Sequence, residues 1–379
     1  MTTAQQQFLE LLRSGLWDRP ADSSIFKETD WKNVYRIAIE QTVIAIITYG
    51  IETLPKEMLP PKEIMMKLLV ARLRIEQSHN LLNSTLNQII KALKDDGIPS
   101  VLLKGQGVAQ NYWKPEGRNC GDIDLYTGID RYNRACEIID SLNPHNQKPG
   151  AECEHHMHLS LNGVEVEIHR QADMMPGRRH NASLQKWTKE CLDANFCTDR
   201  LGRWDNNGTE IRLAPATFDA FFILHHAVRH MTVEGVGLRQ VCDWTMYLHR
   251  RHNEIDTEVL QQKLKEFHME TIWKEFGILA VTILGLPKEE LPLAPSSLES
   301  KKTAELLRHI FISGNFGRFD ANAKDKSKTT YIKRKWRSFR FRSSRLFKLF
   351  NLFPSYAASY MWHWSTGAFI RFFQQWKED

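Results

Sequence analysis

Residues 102–128 read LLKGQGVAQNYWKPEGRNCGDIDLYTG. An apolar run ends at Lys104-Gly105, one or two helical turns follow, and a short strand then carries Asp122 and Asp124 with Ile123 between them. Residues two apart in an extended strand face the same side. The two carboxylates therefore project together, while Ile123 and Leu125 point toward a core. Like charges held side by side want a cation between them. Hard oxygen ligands at this spacing suit Mg²⁺.

Some forty residues on, HMHLSLNGVEVEIHR (156–170) shows two alternating runs joined by Asn162-Gly163, a strong hairpin signal. Val164, Val166 and Ile168 take one face of the second run, and Glu165, Glu167 and His169 take the other. If this strand lies beside the Asp pair, a third carboxylate completes a two-metal site for phosphoryl or nucleotidyl transfer. Alone, the Asp-x-Asp of residues 122–124 reads as the solvated face of an amphipathic strand. The glycine turn, the Asp pair and the acidic strand together argue for a site.

Around this stretch the chain divides into four parts. Residues 1–97 read as helical; the longest segment, 61–95, opens on Pro-Pro and closes before Gly97. In it Ile75, His79, Leu82, Leu86, Ile89 and Leu93 recur at three- and four-residue steps as one packing stripe. Residues 98–214 read as an α/β core. Residues 215–320 turn helical again, with Pro215 opening one helix, GLRQVCDWTMYLHRRH forming the next, and a long amphipathic stretch running from 256 to about 285. Residues 321–379 form a basic, aromatic tail. The fold class expected is α+β: a small mixed sheet flanked by N-terminal and C-terminal helical regions.

Composition narrows the class. Of 379 residues, 42% are hydrophobic and 25% charged, which suits a globular protein with a large core. Six cysteines without a close pair read as reduced thiols in a cytoplasmic protein. The N-terminus lacks the pattern of a signal peptide, and FGILAVTILGL (276–286) is too short to span a bilayer. The net charge of +6 is uneven: residues 324–348 hold eleven Lys or Arg against one Asp, so the remainder is net negative.

The pattern KG-x(12)-R-x(3)-DIDL followed by VEVEIHR resembles the nucleotidyltransferase superfamily that includes DNA polymerase beta. More narrowly, it resembles an uncharacterised bacterial family within it, whose helical H-x(3)-H … GLR-x(3)-D region is matched by His226, His230, Gly237, Leu238, Arg239 and Asp243. The resemblance covers roughly residues 64–250. It implies that Asp122 and Asp124, with Glu167 as third acid, hold two divalent ions, Mg²⁺ or Mn²⁺. It implies that Lys104, Gly105, Gly107 and Arg118 bind the phosphates of an NTP, and that Arg239 points toward the same site. His169 and Glu165 are expected to orient the acids. The implied reaction moves an NMP to a hydroxyl-bearing acceptor, a sugar or lipid-linked one if the protein serves surface-polysaccharide synthesis. Three features depart from the superfamily: Gly105-Gln106 stands where Gly-Ser is usual, the gap from the turn to the acids is longer, and the third acid is Glu where Asp is common.

Other candidates have plainer readings. His226 and His230, one helical turn apart, read as packed, hydrogen-bonded histidines rather than a zinc site. His156 and His158 share a face opposite the acidic strand, within reach of a substrate phosphate or simply facing solvent. In the tail, Trp336, Phe339, Leu346, Phe350 and Phe353 form an apolar stripe on a helix. It packs on the protein, lies on an anionic membrane surface, or meets a polyanion such as nucleic acid. The competing functions are a catalytically silent nucleotide- or partner-binding module and a polyanion or membrane-surface binder acting through 324–350.

Overall fold

A computed structural model describes residues 1–143, 151–152, 156–196, 198, 200–315, 343, 346–347 and 349–361. Three helices come first: α1 (Thr3–Trp17), α2 (Trp31–Glu40) and α3 (Ile44–Ile51). A capping box starts α1, with the Thr2 hydroxyl accepting from the Gln5 amide and the Gln5 side chain accepting from the Thr2 amide. Helices α1 and α3 touch backbone to backbone through Gly15 and Gly50. A Cβ on Gly15 would collide with the Ile46 carbonyl, and one on Gly50 with that of Leu11.

The predicted stripe is the buried face of α4 (Lys62–Asp95). Gly97 ends it at φ 72°, with Ile98 N–H donating to Leu93 O (2.8 Å) and Gly97 N–H to Lys94 O (3.0 Å). That is a Schellman motif, and glycine supplies the left-handed residue it needs. The chain then alternates strands and short helices: β1 (Val101–Leu102), α5 (Gln106–Ala109), β2 (Asp122–Tyr126), α6 (Tyr132–Ser141), β3 (Ala151–Glu152), β4 (His156–Leu161), β5 (Val164–His169), α7 (Arg178–Cys191), β6 (Gly202–Asn206) and β7 (Thr209–Leu213). Through residue 315 five α-helices follow: α8 (Ala216–Val233), α9 (Leu238–Arg251), α10 (Thr257–Glu266), α11 (Glu270–Leu279) and α12 (Lys301–Ser313). The long stretch expected from 256 is two helices, because His268 adopts φ 56° and breaks the run; α11 continues as a π-turn over Ala280–Leu284.

The seven strands form one sheet in the order β3-β4-β5-β2-β1-β7-β6. β2 runs parallel to β5, and β1 parallel to β7; the other pairs are antiparallel. Asn162-Gly163 turns between β4 and β5 with both residues at positive φ, as a type I′ hairpin requires. The β6–β7 hairpin has no counterpart in the sequence reading, although Asn207-Gly208 carries the same signal.

One face of the sheet, with Ile123, Leu125, Val164, Val166 and Ile168, packs on Leu82, Leu86, Ile89 and Leu93 of α4 and on α6. A larger core joins α1–α3 to α7–α12, so regions far apart in sequence share one interior. Gln41 accepts from the Leu238 amide (2.9 Å) and donates to Ile310 O (3.3 Å), tying the two together. In the tail, Leu349, Leu352, Phe353, Tyr356 and Ala357 are buried in this core. Of the expected stripe, Leu346 and Phe353 are buried but Phe350 is 44% exposed, because the packed face runs through Leu349 and Leu352 instead. Trp336, Phe339 and nearly all the basic run lie outside the described residues. No described helix is long and apolar enough to cross a membrane.

Candidate active site

Two strands place the acids. β2 and β5 pair in parallel with Asp122 opposite Glu165 and Asp124 opposite Glu167, all on the face turned away from the α4 core. β4 extends the row, setting His158 opposite Glu167 and His156 opposite His169. Asp124, Glu167 and His158 thus stand in one line across three strands.

The contacts are specific. Asp124, 1% exposed, accepts from the Lys104 ammonium (2.9 Å) and from His169 Nε2 (3.0 Å), both at Oδ1. Its Oδ2 is buried with no hydrogen-bond partner among the described residues. His169 Nε2 also lies 3.3 Å from Glu167 Oε2, while Glu167 Oε1 faces His158 Nδ1 (3.3 Å) and His156 Nε2 (3.7 Å). Asp124, Glu167 and His169 converge closely enough to hold a metal ion, and so do His156, His158 and Glu167.

Burial and charge act against each other here. Burial alone would raise the Glu167 carboxyl, but the hydrogen bond from His169 and the charges of Lys104 and His169 outweigh it and hold it at about 2. Asp124 is lowered in the same way, burial being overcome by Lys104 and His169. Burial disfavours the charged forms of Lys104 and His169, yet the surrounding carboxylates raise both. Burial dominates at His156 and brings it down to about 4, so that ring is neutral at neutral pH.

Lys104 is positioned by the turn after β1. Leu103 N–H bonds Asp124 O (3.1 Å), and Gly105 turns the chain at φ 59°, ψ −117°. A Cβ on Gly105 would sit 3.1 Å from Cys120 Sγ and in a region side chains avoid. Gly107 serves packing: a Cβ there would come 2.8 Å from Leu213 Cδ2. The helix after the turn is a single turn of four residues, so few peptide dipoles align at its start. Gln106 now has an account. Fully buried, it donates to Asn83 Oδ1 (2.5 Å) and His79 O (3.3 Å), pinning the turn to α4.

Arg118 is paired with a carboxylate of α9. It is 4% exposed, and its Nε and Nη2 both donate to Asp243 of α9, at 2.9 and 2.8 Å. Tyr112 OH adds a third bond to Asp243 (2.7 Å). Arg239 Nη1 lies 3.7 Å from the same carboxylate and donates to Asn119 O (3.3 Å). These bonds anchor the loop that leads into β2.

Sequence reasoning missed a second cluster behind Lys104. Asp173, in the loop after β5, meets Arg229 Nε (2.8 Å), His225 Nδ1 (3.2 Å) and His226 Nδ1 (3.4 Å). His226 Nε2 then reaches both Lys104 Nζ (3.4 Å) and His230 Nε2 (3.0 Å). The histidines were visible at helical spacing; Asp173 lies in an irregular loop and carries no local signal.

The pattern that defines the uncharacterised nucleotidyltransferase family matches residues 27–285, more than half of the chain. The chain belongs to that family. The match runs from before α2 to the end of the π-turn, and so contains the whole sheet and the acid row. Among solved structures, an antigenic nucleotidyltransferase-like protein from Paracoccidioides brasiliensis is similar at 13% identity and a TM-score of 0.30, over 48% of this chain and 85% of that one. No curated protein matches the chain.

Proposed function

We propose that this family member transfers a nucleoside monophosphate from an NTP to a hydroxyl group of an acceptor, with a divalent ion at Asp122, Asp124 and Glu167. The observation that carries the reading is the in-register pair Asp124–Glu167, with Asp122 on the same face and Asp124 Oδ2 buried without a partner. A buried carboxylate oxygen left unsatisfied is costly, and a cation answers that need. Asp124 and Glu167 converge with His169; with Asp122 joining from the same face, the carboxylates would give a hard oxygen donor set that fits Mg²⁺ or Mn²⁺. Bound there, the ion would neutralise phosphate charge and acidify the acceptor hydroxyl.

The chain's own groups divide the remaining work. Lys104 brings a fixed positive charge to the carboxylate row and, beyond its contacts with Asp124 and His226, has one N–H bond to offer a phosphate oxygen. Glu167, held at about 2, stays an anion at neutral pH. It is a weak base, so its part is to hold cationic charge near the acceptor oxygen rather than to keep a proton. The acceptor oxygen bonds to the α-phosphorus, the α–β bridging bond breaks, pyrophosphate leaves and the acceptor proton passes to solvent. A sugar or lipid-linked hydroxyl is the acceptor class to try first.

The test is pyrophosphate release from each NTP with Mg²⁺ and candidate acceptors. Asp122→Asn/Asp124→Asn should lower the rate by at least about 10²-fold. Equal release by wild type and double variant across the acceptors would leave a silent binding module in its place.

A further inference from the structure

We propose that His156, His158 and Glu167 form a second cation site, of different chemistry, which takes a transition metal such as Zn²⁺ or Co²⁺. The two oxygens of Glu167 face different donor sets. Oε2 turns to His169, beside Asp124; Oε1 lies 3.3 Å from His158 Nδ1 and 3.7 Å from His156 Nε2, and the three side chains stand close enough to hold one ion. A carboxylate in that position bridges an oxygen site and a nitrogen-rich one. Strand pairing builds this arrangement, since His158 stands directly opposite Glu167.

The imidazoles are set up as ligands. His158 Nδ1 is 2.9 Å from Glu165 Oε1, so that nitrogen carries the proton and Nε2 keeps its lone pair. A carboxylate that fixes a histidine tautomer in this way is the usual outer partner of a metal-bound imidazole. His158 Nε2 accepts from His156 Nε2–H, 2.8 Å away, a proton that His156 Nε2 must release when an ion enters. Two nitrogens bound to one tetrahedral zinc ion at about 2.0–2.1 Å stand about 3.4 Å apart. The rings therefore need to open by only about half an ångström for an ion to enter between them. Two histidines and one glutamate with open positions form a donor set that zinc accepts and that Mg²⁺, which prefers oxygen, does not. The His158 side chain is 30% exposed, which leaves a way in from solvent.

Because Glu167 is shared with the proposed Mg²⁺ site, the second site is tested without nucleotide, where only metal binding is read. Co²⁺ alone is titrated into the full chain, and its visible ligand-field absorption reports nitrogen coordination. Wild type should bind with a defined band and a one-equivalent break. His158→Gln, a partly exposed position, should weaken that binding at least about 10-fold and lose the band. His156→Gln should do the same, and Asp124→Asn should keep the band. If both histidine variants titrate like wild type, or if wild type shows no band, the site does not exist. Far-UV circular dichroism checks each fold, and His158→Gln decides alone if the more buried His156→Gln unfolds. Failure here leaves pyrophosphate release with Mg²⁺ unaffected, so the two readings fall separately.

Discussion

Removing the Asp243 carboxylate tests whether Arg118 belongs to the fold or to the phosphates. In Asp243→Ala the Arg118 guanidinium, 4% exposed, loses both of its bonds to that carboxylate, at 2.9 and 2.8 Å. Its Nη1 is already buried without a hydrogen-bond partner among the described residues. Tyr112 OH also loses its acceptor. Breaking a buried ion pair from one side costs about 3–5 kcal/mol, since a charge is left without compensation. For a chain of this size that is a fall in melting temperature of about 4–6 °C. Arg118→Met/Asp243→Ala removes both charges, so it should recover at least about 2 kcal/mol relative to the sum of the single variants. Burial raises the Asp243 carboxyl, but Arg118 outweighs it and the net shift is downward. The contribution of the pair is therefore complete above the unfolded value of 3.8 and fades as the pH falls below it. Urea unfolding followed by tryptophan fluorescence, at pH 7 and pH 3, gives each quantity. The reasoning is refuted if Asp243→Ala costs under about 1 kcal/mol at pH 7. It is refuted equally if Arg118→Met keeps full stability and loses NTP binding, which would make Arg118 a phosphate ligand.

Two further outcomes concern the scaffold. Gly50→Ala should destabilise by at least about 1–3 kcal/mol in the same urea assay, because the new methyl meets the Leu11 carbonyl of the facing helix. Asp219, 5% exposed in the first turns of α8, has Oδ1 buried without a hydrogen-bond partner among the described residues, and burial raises its carboxyl well above 3.8. An acid raised in the folded state is least costly below its unfolded value and loses stability as the pH rises through its folded one. Asp219→Asn should therefore match wild type near pH 3.5 and exceed it at pH 7; equal stability at both would show that the carboxyl is satisfied.

Much of the local design was legible. Alternation in DIDLY and VEVEIH assigned every side chain to the correct face, and helix spacing marked the buried stripe of α4 from Leu82 to Leu93. Asn162-Gly163 placed one hairpin correctly; Asn207-Gly208 held equal information that went unused. Gln106 looked like a departure from a phosphate loop and is a buried bracket between the Lys104 turn and α4. Arg118 looked like a phosphate ligand because arginine suits phosphate, but the same fork suits a carboxylate, and Asp243 lies 125 residues away. Side-chain chemistry states what a residue can bind; it does not state which partner the fold brings.

The amino-acid sequence by itself determined which residues share a face, where helices begin and stop, and that Asp122 and Asp124 project together. These follow from backbone periods of 2 and 3.6, which act over a few residues. Tertiary structure alone decided that β5 lies parallel to β2 in a register that sets Glu167 against Asp124, and that β4 adds His158 to the same row. It also decided that Lys104 rests between Asp124 and the histidines of α8. Strand order and register arise from how whole faces bury against α4, α6 and α8. A slip of one residue would turn every one of these side chains to the other face, and no local pattern in the chain records that choice.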